Sequence, residues 1–247
     1  MIKFFRRIRQ KLLQENRFSK YLIYAIGEIV LVVIGILIAL QINNWNENKK
    51  TEASLNQFLF EFKKELNYNI QDLEKGVSEL KLHVEEKKSL LTNRNLDTMW
   101  LDYLEEQIVS KYINVSYNPT ILRRLESAQI SEYGKYDSTF IEIQEFYGYA
   151  WPEFEKAKQW HNHQVDIEDE WWRYEQDRYE LNLVTENELL VNDSVIRKKE
   201  LLEHLSSTKV RNMLKSDYYR KKRLKPYLEG QMEMAKEQLD AINNLFE

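Results

Sequence analysis

One long apolar stretch stands out near the start of the chain. Residues 21–42 read YLIYAIGEIVLVVIGILIALQI, and residues 29–40 are all apolar or small. Roughly 20 helical residues span the ~30 Å hydrocarbon core of a bilayer. A helix in the core of a soluble protein normally keeps a polar face over this length. The pattern therefore predicts a transmembrane helix over residues 21–42.

Beyond residue 43, apolar residues recur at three- and four-residue steps, which is the period of an amphipathic helix. The longest such runs cover residues 55–91, 140–179 and 214–246. The first run is compatible with a continuation of the membrane helix. Pro152 is expected to kink the second, and Pro226 lies early in the third. Shorter helices are expected at 97–112, 120–131 and 194–205.

No alternating strand pattern is identified. The predicted fold is all-α, with one N-terminal transmembrane helix followed by an elongated exported bundle of long antiparallel helices with short helical hairpins. Few turn formers interrupt it, since the chain has only six Gly and three Pro. It has no Cys, which excludes a disulfide framework and thiol chemistry.

Positive charges lie mainly before the apolar stretch. Residues 1–42 contain seven Lys or Arg and two Glu, whereas only Lys49 and Lys50 follow the stretch closely. The positive-inside rule predicts that residues 1–20 are cytoplasmic and that residues 43–247 form an exported, periplasmic domain. A cleaved signal peptide is the alternative, but LIALQINNW offers no small-x-small cleavage site. We therefore expect a single-pass signal anchor in a bacterial inner membrane.

The first fifteen residues, MIKFFRRIRQKLLQE, form a basic amphipathic pattern. Such a helix lies on an anionic leaflet, which makes membrane lipids an expected partner. The alternative is a topology signal without fixed structure. About 20 cytoplasmic residues would leave no room for a catalytic or DNA-binding domain on that side.

The residues that could carry chemistry do not form a recognisable catalytic motif. His161 and His163 are two apart, about 200° on a helix, so they cannot share one metal ion. No His-x-x-x-His spacing, Gly-rich phosphate loop or nucleophile elbow occurs. We therefore expect no catalytic residues, no metal site and no cofactor, and we classify the protein as a non-enzyme.

Two charged runs are interpreted as solvated helix faces. One is acidic, at residues 166–170, and the other is basic, at residues 220–225. A basic run in a cytosolic protein would suggest nucleic acid, but that partner is excluded for an exported domain. Contact of the basic run with anionic lipid or glycan is the alternative.

Several aromatic side chains between residues 133 and 179 fall on the helical apolar stripe and are expected in the core. Trp160 and Trp171 fall off that stripe. If both are exposed, they would form a docking surface.

The membrane helix carries two further features. Gly27, Leu31, Gly35 and Ala39 are spaced four apart on one face, and Gly35 with Ala39 forms a small-x-x-x-small pair. Such a face lets two helices approach closely, which predicts a homo-oligomer or assembly with other membrane or envelope proteins.

Glu28 is an acid within the apolar stretch, which makes it a functional-site hypothesis. It could be protonated, or accept a hydrogen bond from Tyr24 one turn earlier. Alternatively, it could pair with a basic or polar group on a neighbouring helix.

Residues 1–47 closely resemble the N-terminal signature of a Bacteroidota family of single-pass membrane proteins of unknown function, carried here by FFRRIRQKLL and YAIGEIVLVVIGILIALQINNWNE. Similar proteins often have a leucine followed by Ser-Gly, and a helix ending in two tyrosines. Residues 125–129 (LESAQ) and Phe146-Tyr147 resemble these features, with Ala128 where Gly is common. The resemblance implies a membrane location and a helical exported domain, and it supplies no activity.

The sequence thus predicts a membrane-anchored, periplasmic helical interaction or scaffold module. The alternative is a sensor or a subunit of an energised envelope complex that uses Glu28 within the membrane.

Overall fold

The computed structural model describes residues 7, 10, 18–128, 130, 132–182 and 193–246, with side chains in the long first helix from Leu22 onward. The amphipathic pattern of residues 1–15 lies almost entirely outside these residues. The chain divides into two compact units, Met1–Gln57 and Phe58–Glu247.

The described residues contain helices and no β-strand, which confirms the all-α prediction. The α-helices are α1 (Phe18–Thr92), α2 (Leu101–Ile108), α3 (Thr120–Ser127), α4 (Asp137–Glu145), α5 (Trp151–Glu170), α6 (Ser194–Ser206) and α7 (Thr208–Phe246). Short 3₁₀ turns lie at Leu96–Thr98 and Gly134–Tyr136, and π-helical turns lie at Phe146–Ala150 and Trp171–Glu175.

The first unit contains the apolar stretch. Its most apolar 18-residue window has a mean hydropathy of 2.7, and none of that window is buried. Among the described residues, one helix is long and apolar enough to cross a membrane, and it lies near the N-terminus. The length and composition of this helix therefore agree with the predicted transmembrane span.

Three long helical segments build the core of the second unit. The part of α1 from Phe58 onward runs antiparallel to α7, since Glu74 pairs with Lys236 while Lys87 pairs with Asp217. Helix α5 also runs antiparallel to α7, since Gln231 bonds to Ala150 at its start while Arg220 bonds to Glu168 near its end. The fully buried side chains between these segments include Leu59, Leu66, Leu73, Phe154 and Leu228. Their three- and four-residue spacing is the pattern that predicted the helices.

An extended segment lies among these helices. The prediction of a helix to residue 112 is wrong, because α2 ends at Ile108. From there the chain alternates, with Ile113, Val115 and Tyr117 buried and Asn114 and Ser116 exposed. This alternation has the period of a strand, which the sequence interpretation overlooked.

Side chains from the helices take the place of a neighbouring strand. The backbone N–H of Ile113 donates to Asn162 Oδ1 at 3.0 Å, and the Asn162 amide donates to the Ile113 carbonyl at 3.2 Å. Further along, the N–H of Ser116 donates to Asp72 Oδ2 at 3.1 Å. Buried backbone groups need such partners, so the segment is held between α1 and α5.

The second predicted helix is irregular directly before its proline. The π-helical turn Phe146–Ala150 runs without a break into α5, whose second residue is Pro152. Since proline has no backbone N–H to bond back into the preceding turn, the irregularity lies next to the position where a kink was expected. Gln231 Nε2 on α7 donates to the Ala150 carbonyl at 3.1 Å, which ties the end of this turn to α7.

Gly76 lies at a close approach of α1 to the extended segment. A Cβ at this position would lie 2.2 Å from Val115 Cγ2 and 3.4 Å from Leu228 Cδ2. Because valine has a strongly restricted χ1 angle, Val115 cannot move away from an added Cβ without a substantial energetic cost.

We expect Gly76→Ala to lower the free energy of unfolding by about 1–3 kcal/mol through overpacking. Gly230→Ala is the matched control, because a Cβ there meets nothing within 4 Å. It should stabilise α7 by roughly 0.5–1 kcal/mol. Urea unfolding of the full chain in detergent, followed by circular dichroism, measures both. Equal effects of the two substitutions would contradict the close approach.

Candidate functional site

The predicted membrane residues lie on α1 in the first unit. Glu28 is half-exposed and follows Tyr24 by one turn. Gly27 and Gly35 are exposed, and a Cβ at either would meet no atom within 4 Å. The face that these glycines share with Leu31 and Ala39 is therefore open to a second helix.

The two predicted docking tryptophans lie in different surroundings. Trp160 on α5 is 57% exposed, so its ring is available to a partner. Trp171 is only partly buried but packs edge-on against Trp172, with ring centroids 5.0 Å apart. Lys209 Nζ lies 4.6 Å from the centroid of the Trp171 ring. Trp171 therefore belongs to the margin of a hydrophobic cluster.

The most unusual chemistry in the second unit is a buried ionic cluster, which we define as Lys87, His161, Glu168, Asp217, Arg220 and Lys221. Its centre is Asp217, whose side chain is fully buried. Lys221 Nζ lies 3.0 Å and Lys87 Nζ 3.2 Å from the same carboxylate oxygen, Oδ2. Arg220 Nη2 lies 3.6 Å from the other oxygen, Oδ1. Burial alone would raise the pKa of Asp217, but the charges of Lys87 and Lys221 lower it below its ordinary value.

Arg220 links this centre to α5. Its Nη2 donates to Glu168 at 2.9 Å, and its Nη1 donates to Ser216 Oγ at 2.7 Å. Ser110 also donates its hydroxyl to Glu168. Burial raises the pKa of Glu168, while the bonds from Ser110 and Arg220 act in the opposite direction.

His161 completes the cluster on α5, and its side chain is fully buried. Its Nδ1 accepts from Arg220 Nε at 3.3 Å, and its Nε2 donates to the Lys111 carbonyl at 3.2 Å. These two bonds fix the neutral tautomer. Burial lowers the pKa of His161 to about 4, so the ring carries no charge at neutral pH.

When ionised, the cluster contains three cations and two carboxylates. Burial lowers the pKa of Lys221 to about 8, although Asp217 acts in the opposite direction. A lysine with a depressed pKa is a feature of catalytic amines. Lys221, however, is 1% exposed and its ammonium is bonded to Asp217, so substrate cannot reach it in this arrangement.

Both charged runs were therefore misinterpreted in part, because each has buried members, although Asp166, Glu170, Lys222 and Arg223 are exposed as expected. Arg220 and Lys221 were expected on an exposed helix face but are 4% and 1% exposed. Glu168 was assigned to a solvated acidic face and is 8% exposed. Arg220 pairs with Glu168, which explains why neither charge needs water. Lys87 and Asp217 had not been singled out at all.

Two surface grooves lie outside this cluster. The first has a volume of about 980 Å³ and lies between the start of α2 and α6. Trp100 and Val195 line it and are 85% and 76% exposed. The second has a volume of about 530 Å³ and lies between the π-helical turn Phe146–Ala150 and α7. Neither groove is lined by a member of the ionic cluster, and neither was foreseen from sequence.

Residues 28–140 match the model of a family of unknown function (DUF6090). The match begins at Glu28, so it includes most of the apolar stretch and extends to the start of α4. No curated protein and no solved structure matches the chain. The similarity is consistent with an uncharacterised family and brings no activity with it.

We expect Asp217→Asn to lower the free energy of unfolding of the second unit by about 3–5 kcal/mol. The substitution preserves shape but leaves the buried cations without their counter-charge. Urea unfolding of the full chain in detergent measures the effect. Asp240→Asn, at an exposed position on the same helix, should change stability by less than about 0.5 kcal/mol. A variant at residue 217 as stable as the wild type would show that the ion pairs do not support the core.

Proposed function

We propose that the protein is a single-pass, membrane-anchored helical interaction module. In this proposal residues 1–20 are cytoplasmic, residues 21–42 cross the bacterial inner membrane, and residues 43–247 lie in the periplasm. The observation that carries it is the exposed apolar stretch of α1.

The energetic argument concerns the side chains of that stretch. Fifteen large apolar side chains between residues 22 and 42 are exposed. Moving each from water to an apolar phase is worth roughly 1.5–3 kcal/mol, so the whole stretch favours a bilayer over water by tens of kcal/mol. A lipid core supplies the burial that the chain itself does not give these residues.

The second unit supports binding rather than catalysis. Its buried charges are engaged with one another, and burial keeps them from solvent. Its surface carries large exposed aromatic rings, among them Trp100 and Trp160. Tryptophan is enriched at the energetic centres of protein interfaces. We infer that the exported unit presents such rings to envelope proteins.

Self-association through the membrane helix is part of this proposal. The space beside Gly27 and Gly35 is open on the face that they share with Leu31 and Ala39. Small residues at this spacing allow close backbone contact between helices in lipid. We infer that a second copy occupies this face, with lipid around the pair.

A second candidate function rests on Glu28. An acid within a transmembrane segment is costly and commonly serves an ion or proton pathway. Under this proposal the protein is a sensor or a subunit of an energised envelope complex, and Glu28 meets a partner helix within the membrane.

The orientation can be tested with reporters. A reporter enzyme that is active only after export, fused after Asn48, should be active, and a cytoplasmic reporter at the same site should be silent. The reason is the excess of basic residues before the apolar stretch. N-terminal sequencing of the mature chain is the control, and a start near Gln41 would indicate a cleaved signal peptide and overturn the anchor.

Replacing both Gly35 and Ala39 with Leu should weaken self-association, because the larger side chains hold the two helices apart. Energy transfer between labelled copies in lipid vesicles measures the change. Val33→Leu with Leu37→Ile is the matched control on another face. If the oligomer is unchanged, the interface must instead lie in the exported unit.

For the second candidate, Glu28→Gln should leave membrane insertion intact while disrupting the complex, since it removes the charge and keeps the shape. Glu28→Asp, which keeps the charge, should retain partners. Co-purification in mild detergent provides the measurement. If the Gln variant keeps its partners and its cellular phenotype, Glu28 is only a tolerated polar residue.

A further inference from the structure

His161 occupies the point where α5, α7 and the extended segment meet, and its side chain is fully buried. Its Nε2 donates to the Lys111 carbonyl at 3.2 Å, at the start of the extended segment. Its Nδ1 accepts from Arg220 Nε on α7 at 3.3 Å. One uncharged ring therefore connects three parts of the second unit.

The contact with Arg220 requires a neutral ring. A guanidinium can only donate, so Nδ1 of His161 must keep its lone pair free to accept from it. A proton on Nδ1 would place two N–H donors and two positive charges against each other. Because the ring is fully buried, solvent does not screen this repulsion. Protonation of His161 and its contact with Arg220 therefore exclude each other.

Arg220 cannot leave His161 without changing the rest of the ionic cluster. Its Nη2 donates to Glu168 on α5 at 2.9 Å and lies 3.6 Å from Asp217 Oδ1. If Arg220 moves away, Glu168 keeps the hydroxyl of Ser110, and Asp217 keeps its two lysine partners. The seam between α5 and α7 would then lose its ionic link, while the ion pair between α1 and α7 is retained.

Every element packed around the ring contributes a charged or titratable group. They are Asp217, Arg220 and Lys221 from α7, Glu168 from α5, His83 and Lys87 from α1, and Lys111 from the extended segment. Asp217 favours a protonated His161, whereas Arg220 and Lys221 disfavour it. The ammonium of Lys111 pairs with Glu106, so only its carbonyl contacts the ring.

We propose that His161 is an acid-sensitive latch, which takes up a proton as the pH falls, expels Arg220 and opens the contact between α5 and residues 214–224 of α7. Protonation of buried histidines at pH 5–6 is an established way of switching packed interfaces. The latch lies within the second unit and does not require the membrane anchor.

The direction of the pH effect follows from the closed state. Burial lowers the pKa of His161 to about 4, from an ordinary value of 6.5. The open form therefore binds the proton better, so the closed form is fully favoured above pH 6.5 and loses stability as the pH falls toward 4. Burial also lowers the pKa of His83 to about 4, which acts in the same direction. Burial raises the pKa of Glu168, which acts in the opposite direction. Asp217 and Lys221 titrate outside this window.

The test is amide hydrogen exchange of the full chain in detergent at pH 7 and pH 5, corrected for the intrinsic exchange rate and read by mass spectrometry. On acidification, the opening constant of residues 214–224 should rise roughly twentyfold more in the wild type than in His161→Asn. Asparagine keeps an acceptor for Arg220 but cannot titrate. His163→Asn is the matched control at an exposed position on the same helix, and it should respond like the wild type.

A second measurement uses the wild type alone and does not depend on a variant that folds. In a chain labelled with ¹⁵N at histidine, nuclear magnetic resonance should show the His161 ring neutral, with its proton on Nε2, in the folded form down to pH 5. A charged His161 ring in the folded chain at pH 6 would overturn the latch.

Two exchange results would also overturn it. One is an equal pH response of residues 214–224 in the wild type and in His161→Asn, which would assign the response to other groups. The other is a loss of protection at residues 231–242 together with residues 214–224, which would indicate acid unfolding of the whole unit. Opening confined to residues 214–224 and dependent on His161 supports the latch.

Discussion

The buried charge of Asp217 is the constraint on which the second unit depends. Removing an ion from water costs several kcal/mol unless its partners are held in place. Here the partners come from α1, through Lys87, and from α7 itself, through Lys221. Arg220 extends the same network to Glu168 on α5. The relative register of three helices is therefore set by where these charges meet, while the apolar residues around them supply most of the burial energy.

The helical period made the fold class and the three long helices predictable, but not the polar residues within their contact seam. On α7, a series of buried positions follows steps of four and three, and it includes Val210, Leu214, Asp217, Lys221, Leu224 and Leu228. Asp217 and Lys221 thus occupy core positions of a heptad pattern. A helix face identified from apolar residues alone leaves out these two residues, and on α1 it leaves out Lys87. Their position in the heptad repeat, rather than their polarity, could have identified them as buried.

Local irregularities were predictable to different degrees. The alternation of Ile113, Val115 and Tyr117 is visible in the sequence and could have identified the extended segment. Pro152 marks the position of the π-helical turn Phe146–Ala150, but nothing in the sequence identifies that turn as π-helical. The groove beside this turn was unforeseeable, because residues of α7 that are distant in sequence also line it. The membrane anchor of the proposed function could therefore be predicted from the sequence. The surfaces proposed for binding could not, because the fold brings their residues together.

Amine labelling of the intact chain tests most directly whether the ionic cluster is a structural core rather than a reactive centre. With burial lowering the pKa of Lys221 to about 8, an accessible amine there would react faster than ordinary lysines. The account predicts that Lys87 and Lys221 remain unlabelled in the native chain and react only after unfolding, while Lys199, at the surface groove, reacts early. Preferential labelling of Lys221 in the folded chain would contradict it and would point to an open, chemically active site.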